Sequence, residues 1–73
     1  MKLEKYSQKL QAINANWTAI TPREGWRHYR IGARRHAADT LELEMMAICE
    51  REIRFWIPAE ELRDKKLWQP GWT

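Results

Sequence analysis

Residues 40 to 57 read Thr40-Leu41-Glu42-Leu43-Glu44-Met45-Met46-Ala47-Ile48-Cys49-Glu50-Arg51-Glu52-Ile53-Arg54-Phe55-Trp56-Ile57. Two runs of alternating polarity flank a charged interruption, and period-two alternation marks half-buried strands. In the first run, 40–49, Leu41 and Leu43 face inward. In the second, 52–57, Ile53, Phe55 and Ile57 face inward while Arg54 and Trp56 face outward. A two-residue turn at Glu50-Arg51 pairs Ile48 with Ile53 and Met46 with Phe55. Met46 and Ile48 then fall out of step with Leu41 and Leu43. One extra residue near Glu44-Met45-Met46, a β-bulge, reconciles the halves. A four-residue loop from Cys49 to Glu52 leaves the same mismatch.

Upstream lies a third strand, 26–35. Tyr29, Ile31 and Ala33 alternate there with Trp26, His28, Arg30, Gly32 and Arg34. The first set is expected to face the core and the second to face solvent. Trp17-Thr18-Ala19-Ile20 reads as a short further strand, with Thr21-Pro22-Arg23-Glu24-Gly25 as the loop that follows it. Before it, Leu3, Tyr6, Leu10 and Ile13 sit at three- and four-residue spacings, a weak amphipathic pattern too short to form a stable helix alone. Residues 1–15 are therefore expected to be a flexible or partly docked arm, and 16–73 a single small β-rich domain.

Downstream, Pro58 ends a strand and suits the start of a helix. Glu60 and Glu61 sit early in Ala59–Asp64 and Lys65-Lys66 follow it, the order the helix dipole favours. Leu62 is expected inward. Trp68-Gln69-Pro70-Gly71-Trp72 should fold back as a clasp. Trp17, Pro58, Leu62, Trp68, Gly71 and Trp72 together are expected to seal the core. Strands joined in sequence by short connections form an antiparallel meander. The expected fold is mostly β: a small curled antiparallel sheet, an SH3-like barrel or roll, with one short C-terminal helix.

Composition bounds the rest. The chain has 73 residues, a net charge of +3, one cysteine and five tryptophans. A chain of this size buries only roughly 60% of the surface its unfolded form exposes. Bulky aromatics, each burying on the order of 200 Å2, are the compensation. One cysteine forms no internal disulfide, and Cys49 among apolar neighbours suits a buried thiol in a reducing, cytoplasmic setting. No apolar run approaches the roughly 20 residues that span a bilayer, and no apolar signal-peptide core follows the N-terminal residues.

Several pieces together resemble a family of small tryptophan-rich bacterial proteins of unassigned function. They are Trp17-Thr18-Ala19-Ile20-x-Pro22, Leu41-Glu42-Leu43-Glu44, Ile57-Pro58-x-x-Glu61-Leu62-x-Asp64 and Trp68-x-x-Gly71-Trp72, and the resemblance spans roughly residues 9–72. It implies a fold boundary and no activity.

The same residues bear on function. His28, His36 and Cys49 match no zinc-ligand spacing, so no metal and no cofactor are expected. No serine, threonine or cysteine sits in a nucleophile–base pattern, and no glycine-rich phosphate loop is present, so no enzyme is expected. Residues 23–36 carry five arginines and one glutamate, and residues 37–52 carry five acids and one arginine. Such neighbours pair across strands as readily as they bind a ligand. Trp26, His28, Arg30, Arg34, Arg35, Arg54 and Trp56 form the candidate binding face. Exposed aromatics beside arginines suit a protein partner, the favoured reading. They also suit single-stranded DNA or RNA, the alternative, through stacking and phosphate contact. No membrane partner is expected, and the chain should be a monomer or weak homodimer.

Overall fold

A computed structural model describes residues 9–73. Five strands form one antiparallel sheet: β1 (Asn16–Arg23), β2 (Trp26–Ala37), β3 (Thr40–Ala47), β4 (Arg54–Pro58) and β5 (Trp68–Pro70). Their order is β4-β3-β2-β1-β5. A 3-10 helix, Ala59–Arg63, connects β4 to β5. The mostly β, antiparallel expectation holds. The sheet is not closed, however, because no ladder joins β4 to β5, and the C-terminal helical element is a single 3-10 turn.

The register shows where the bulge lies. Ile31 pairs with Met45, but Ala33 pairs with Glu44, so Gly32 is the extra residue and it belongs to β2. β3 runs unbroken, and Leu43, Met45 and Ala47 are buried while Met46 and Ile48 are only partly covered. The expected bulge near Glu44-Met45-Met46 and the inward Met46 and Ile48 are corrected accordingly. Met45, not Met46, pairs with Phe55. The physical reason is Gly32 itself: a Cβ there would meet Glu44 Oε1 at 3.1 Å. Glycine inside a strand weakens regular pairing and often marks a bulge. Beyond Gly32 the phase of β2 flips, so Ala33 leaves the core face. The β3–β4 connection is also longer than expected, with Ala47 N–H donating to Ile53 O at 3.0 Å around residues 48–52. Cys49 lies on that loop and is exposed rather than buried.

One face of the sheet carries the core. Trp17, Ala19, Tyr29, Ile31, Leu43, Met45, Ala47 and Ile57 are covered by Ala59, Leu62 and Trp68. The sheet curls enough for both outer strands to reach the centre. Phe55 of β4 and Trp68 of β5 each meet the Tyr29 ring edge-on, at centroid distances of 5.4 and 5.6 Å. Arg23 closes the remaining gap. Its guanidinium lies 4.8 Å from the Trp68 ring centroid and 5.8 Å from that of Phe55. It also pairs with Glu61 at 2.8 Å, and the same carboxylate oxygen accepts from Trp68 Nε1 at 2.8 Å. A cation over two rings and an anion on the 3-10 helix thus bridge the edges where no strand pairing exists.

The 3-10 helix starts where Pro58 (φ −63°, ψ 140°) turns the chain from β4. It stops at Asp64, whose carbonyl accepts from Leu67 and Trp68. At the other end of the chain, Leu10 packs against the core, and Trp17 Nε1 donates to Leu10 O at 2.6 Å. The Asn14 N–H donates to Ile31 O at 2.8 Å, and the Ile31 N–H to Ala15 O at 3.0 Å. Residues 9–15 are thus docked on the sheet. The expectations for Leu3 and Tyr6 fall outside the described residues.

Candidate interaction surface

The second face of the sheet has its own side-chain layer, because residues opposite each other in an antiparallel pair share a face. Asn16, Arg30, Met46 and Arg54 form one row across β1 to β4. Ala33, Glu44 and Trp56 form the next, and Arg35, Glu42 and Pro58 the third. Neighbouring strands lie about 4.8 Å apart, so Arg30 and Arg54 are roughly 10 Å from each other.

Trp72 covers the β1–β2 end of this face. It is expected to help seal the core, at the core or its edge. Instead it is 41% exposed and on the opposite side of the sheet from Trp68. Its Nε1 donates to Tyr29 O at 2.9 Å, its ring lies 6.4 Å from that of His28, and the Arg30 guanidinium is 5.7 Å from its centroid. Thr18, fully buried, fastens this tail. Its hydroxyl donates to Gly71 O at 2.7 Å and accepts from Thr73 N–H at 3.1 Å. His28 Nε2 lies 2.9 Å from Thr73 O. Of the other clasp residues, Trp17, Leu62 and Trp68 are buried in the core, and Pro58 opens the 3-10 helix.

At the other end of the face, Arg35 stacks on Trp56 with 3.9 Å from guanidinium carbon to ring centroid. Arg35 Nε also donates to Glu42 Oε1 at 2.7 Å. Arg30 and Arg54 have no carboxylate at ion-pair distance among the described residues. The Glu44 carboxylate is drawn over the gap left by Gly32.

Five of the seven candidate residues therefore share the face: His28, Arg30, Arg35, Arg54 and Trp56. Arg34 does not, because the bulge sets it opposite Leu43, on the core side of the sheet. Trp26 stands beside Arg23 at the β1–β2 hairpin, about 13 Å along β2 from Arg30. Sequence reasoning missed Met46 and Trp72 as members of the face. A signal for Met46 existed in the glycine inside β2, which assigns the extra residue to that strand. None existed for Trp72, which reaches the face through a turn at Gly71 (φ 79°).

An open groove lies between the β2–β3 hairpin tip and the 3-10 helix, lined in part by Asp39, Thr40, Glu60 and Arg63. Among the described residues there is no cluster of three metal-ligating side chains. No helix among them is long and apolar enough to cross a membrane. Among the described residues, Tyr29 is the one group whose acidity is clearly displaced. Burial and the charge of Glu24 raise its pKa, against the opposing charge of Arg23.

These features define a class: a small open-sheet domain with tryptophans on both faces, one face closed as a core and the other presenting arginines, methionine and half-covered indoles. The chain belongs to the family described as Tryptophan-rich protein (DUF2389), a family of unknown function, whose model matches residues 15–73. No curated protein and no solved structure matches the chain.

Proposed function

We propose that this chain is a non-catalytic protein-binding module that presents the outer face of its sheet to a partner. The observation that carries the proposal is the make-up of the rows around Met46. Met46 lies between Arg30 and Arg54 in one row, Trp56 stands in the next row under Arg35, and Trp72 lies against Arg30, so apolar and cationic side chains alternate across the face. Tryptophan, methionine and arginine are the residues enriched at protein interfaces. The Trp72 N–H is already spent on Tyr29 O, so what the ring offers outward is apolar area. Arg30 and Arg54 supply donors for a partner's carboxylates or carbonyls.

Nucleic-acid binding, the rival reading, draws less support from the same face. Stacking a base needs an open ring, and Arg35 already occupies one face of Trp56. Glu42 and Glu44 also offset part of the positive field that attracts phosphate.

The test is site-specific photo-crosslinking in a lysate of the source cells, with the reactive residue at position 46 or, as control, at position 65. The expected result is a discrete protein adduct at 46 only, which survives nuclease and is lost in Arg30→Glu. A nuclease-sensitive adduct, or equal labelling at 46 and 65, overturns the proposal.

A further inference from the structure

An open sheet has two edges, and this chain leaves them in different states. At β5, Ile20 N–H donates to Leu67 O at 2.9 Å and Gly71 N–H to Asn16 O at 2.8 Å. Residues 67, 69 and 71 therefore turn their main-chain groups toward β1, and Trp68 and Pro70 turn theirs outward. The Trp68 N–H is consumed by Asp64 O at 3.1 Å, and proline has no N–H. The β5 edge thus has no donor left to offer.

β4 is different. The Ala47–Ile53 bond sets the parity of the β3–β4 ladder, so Phe55 and Ile57 direct their main-chain groups at β3. Arg54 and Trp56 direct theirs away from it, and β4 is the terminal strand. Two residues whose outward donors and acceptors have no partner among the described residues remain, ended by Pro58. An unpaired edge of this kind is a template for another strand.

We propose that the strand that completes β4 is the β4 of a second copy of this chain, paired antiparallel about Phe55. The register follows from the side chains. Setting Arg54 opposite the partner's Arg54 opposes like charges, which destabilises a cross-strand pair. Setting Trp56 opposite the partner's Trp56 puts Arg54 opposite a proline, which cannot donate. The register between these sets Arg54 opposite the partner's Trp56, and its mate likewise, so both edge donors are used twice by symmetry. Phe55 then faces the partner's Phe55 in a non-bonded pair, where Cα atoms are about 4.5 Å apart. On the outer face, Arg54, which has no carboxylate partner among the described residues, lies beside the partner's Trp56. That indole, held by Arg35 from the sheet side, gains a second guanidinium from the edge side. On the core face two half-buried Phe55 rings meet. A second copy is thus complementary in aromatic contact and main-chain hydrogen bonding without opposing like charges, and the pairing draws on Arg54 and Trp56 of the same outer face.

The experiment is sedimentation velocity from roughly 10 µM to 1 mM, a range suited to a weak, short edge, with isotope-filtered NMR on mixed labelled and unlabelled protein. The expected result is concentration-dependent assembly to twice the 8.8 kDa monomer mass, with intermolecular contacts between Arg54 and the partner's Trp56. Arg54→Pro removes the outward-facing N–H together with the guanidinium, leaves the main-chain bonds to β3 in place, and should weaken assembly at least tenfold. Arg54→Glu should do the same by removing the cation, and it decides the matter if the proline variant fails to fold. A monomer throughout, a dimer indifferent to both folded variants, or intermolecular contacts that place Arg54 beside the partner's Arg54 overturns the proposal.

Discussion

Arg23→Met tests whether a cation substitutes for the missing β4–β5 ladder. Methionine keeps the apolar stem and removes the charge, so the loss isolates the guanidinium. That group lies 4.8 Å from the Trp68 ring centroid and 2.8 Å from Glu61, with side chains 29% and 22% exposed. A partly exposed ion pair contributes less than about 1 kcal/mol. A cation over an aromatic ring at such a site adds about 0.5–1 kcal/mol. Together they make the expected cost about 1.5 kcal/mol. For 73 residues the unfolding entropy is about 150 cal/mol/K, so Tm should fall by about 10 °C. Glu61→Gln separates the parts, because its amide oxygen can still accept from Trp68 Nε1 while the charge is gone. It should cost less than about 1 kcal/mol, and a double-mutant cycle should return a coupling of about 0.5–1 kcal/mol. Thermal melts followed by circular dichroism measure all of these. In about 1 M salt the gap between wild type and Arg23→Met should narrow without closing, since screening acts on the ion pair more than on the ring contact. A Tm within about 2 °C of wild type, or zero coupling, would refute the reasoning and leave the gap closed by Leu62 and Ala59 alone.

Three further outcomes follow from individual contacts. Thr18→Val, nearly isosteric, removes the hydroxyl that holds Gly71 O and Thr73 N–H and should cost about 1–3 kcal/mol by chemical denaturation; an unchanged midpoint would release the tail from that role. Ala38, at φ 55° in the β2–β3 turn, sits where a side chain costs about 1 kcal/mol, so Ala38→Gly should raise the denaturation midpoint. Tyr29 donates from its hydroxyl to Arg23 O at 2.6 Å, and its pKa is raised. The neutral ring therefore stabilises the fold fully below the ordinary tyrosine value of about 10, and that contribution is lost as pH rises from there through the raised folded value. Tyr29→Phe should show a shallower loss of stability across that window, and parallel pH profiles would count against it.

Much of the core was legible because burial on one side imposes a period of two. Leu41, Leu43, Phe55 and Ile57 alternate without exception, and any register that hides one hides the others. What failed was the assignment of one extra residue. Met45-Met46-Ala47-Ile48 is apolar throughout, so hydropathy alone fits both phases of β3. The deciding residue was in the neighbouring strand, where Gly32 gives Glu44 room. That single displacement moved Arg34 off the candidate face and kept Arg35 on it. Sheet closure was not legible for a related reason. Alternation reports which side of a strand is buried, and says nothing of whether the first and last strands meet. Arg23 escaped notice because a loop arginine between Pro22 and Glu24 reads as solvated; its partners are 38 and 45 residues away in sequence, at Glu61 and Trp68.

The two C-terminal tryptophans explain how so short a chain holds an open sheet. A sheet needs cover on the side that carries its core, and this one has a 3-10 turn of five residues to supply it. Trp68 adds the largest fully buried side chain to that cover, and its N–H is satisfied by Glu61. Four residues on, Trp72 lies against the opposite face, satisfied by Tyr29 O. Period two would return residue 72 to the side of residue 68. The positive φ of Gly71, open to a residue without Cβ, breaks that parity and carries the chain across the strand ends. Tyr29 is then held from both sides: its ring by Trp68 and Phe55, its carbonyl by Trp72. Trp68→Ala should therefore cost the 3–5 kcal/mol typical of a core aromatic and leave little folded protein. Trp72→Ala should cost only about 2 kcal/mol, since its ring is 41% exposed. Equal losses would place both rings in one core and remove the distinction between a sealed face and a presenting one.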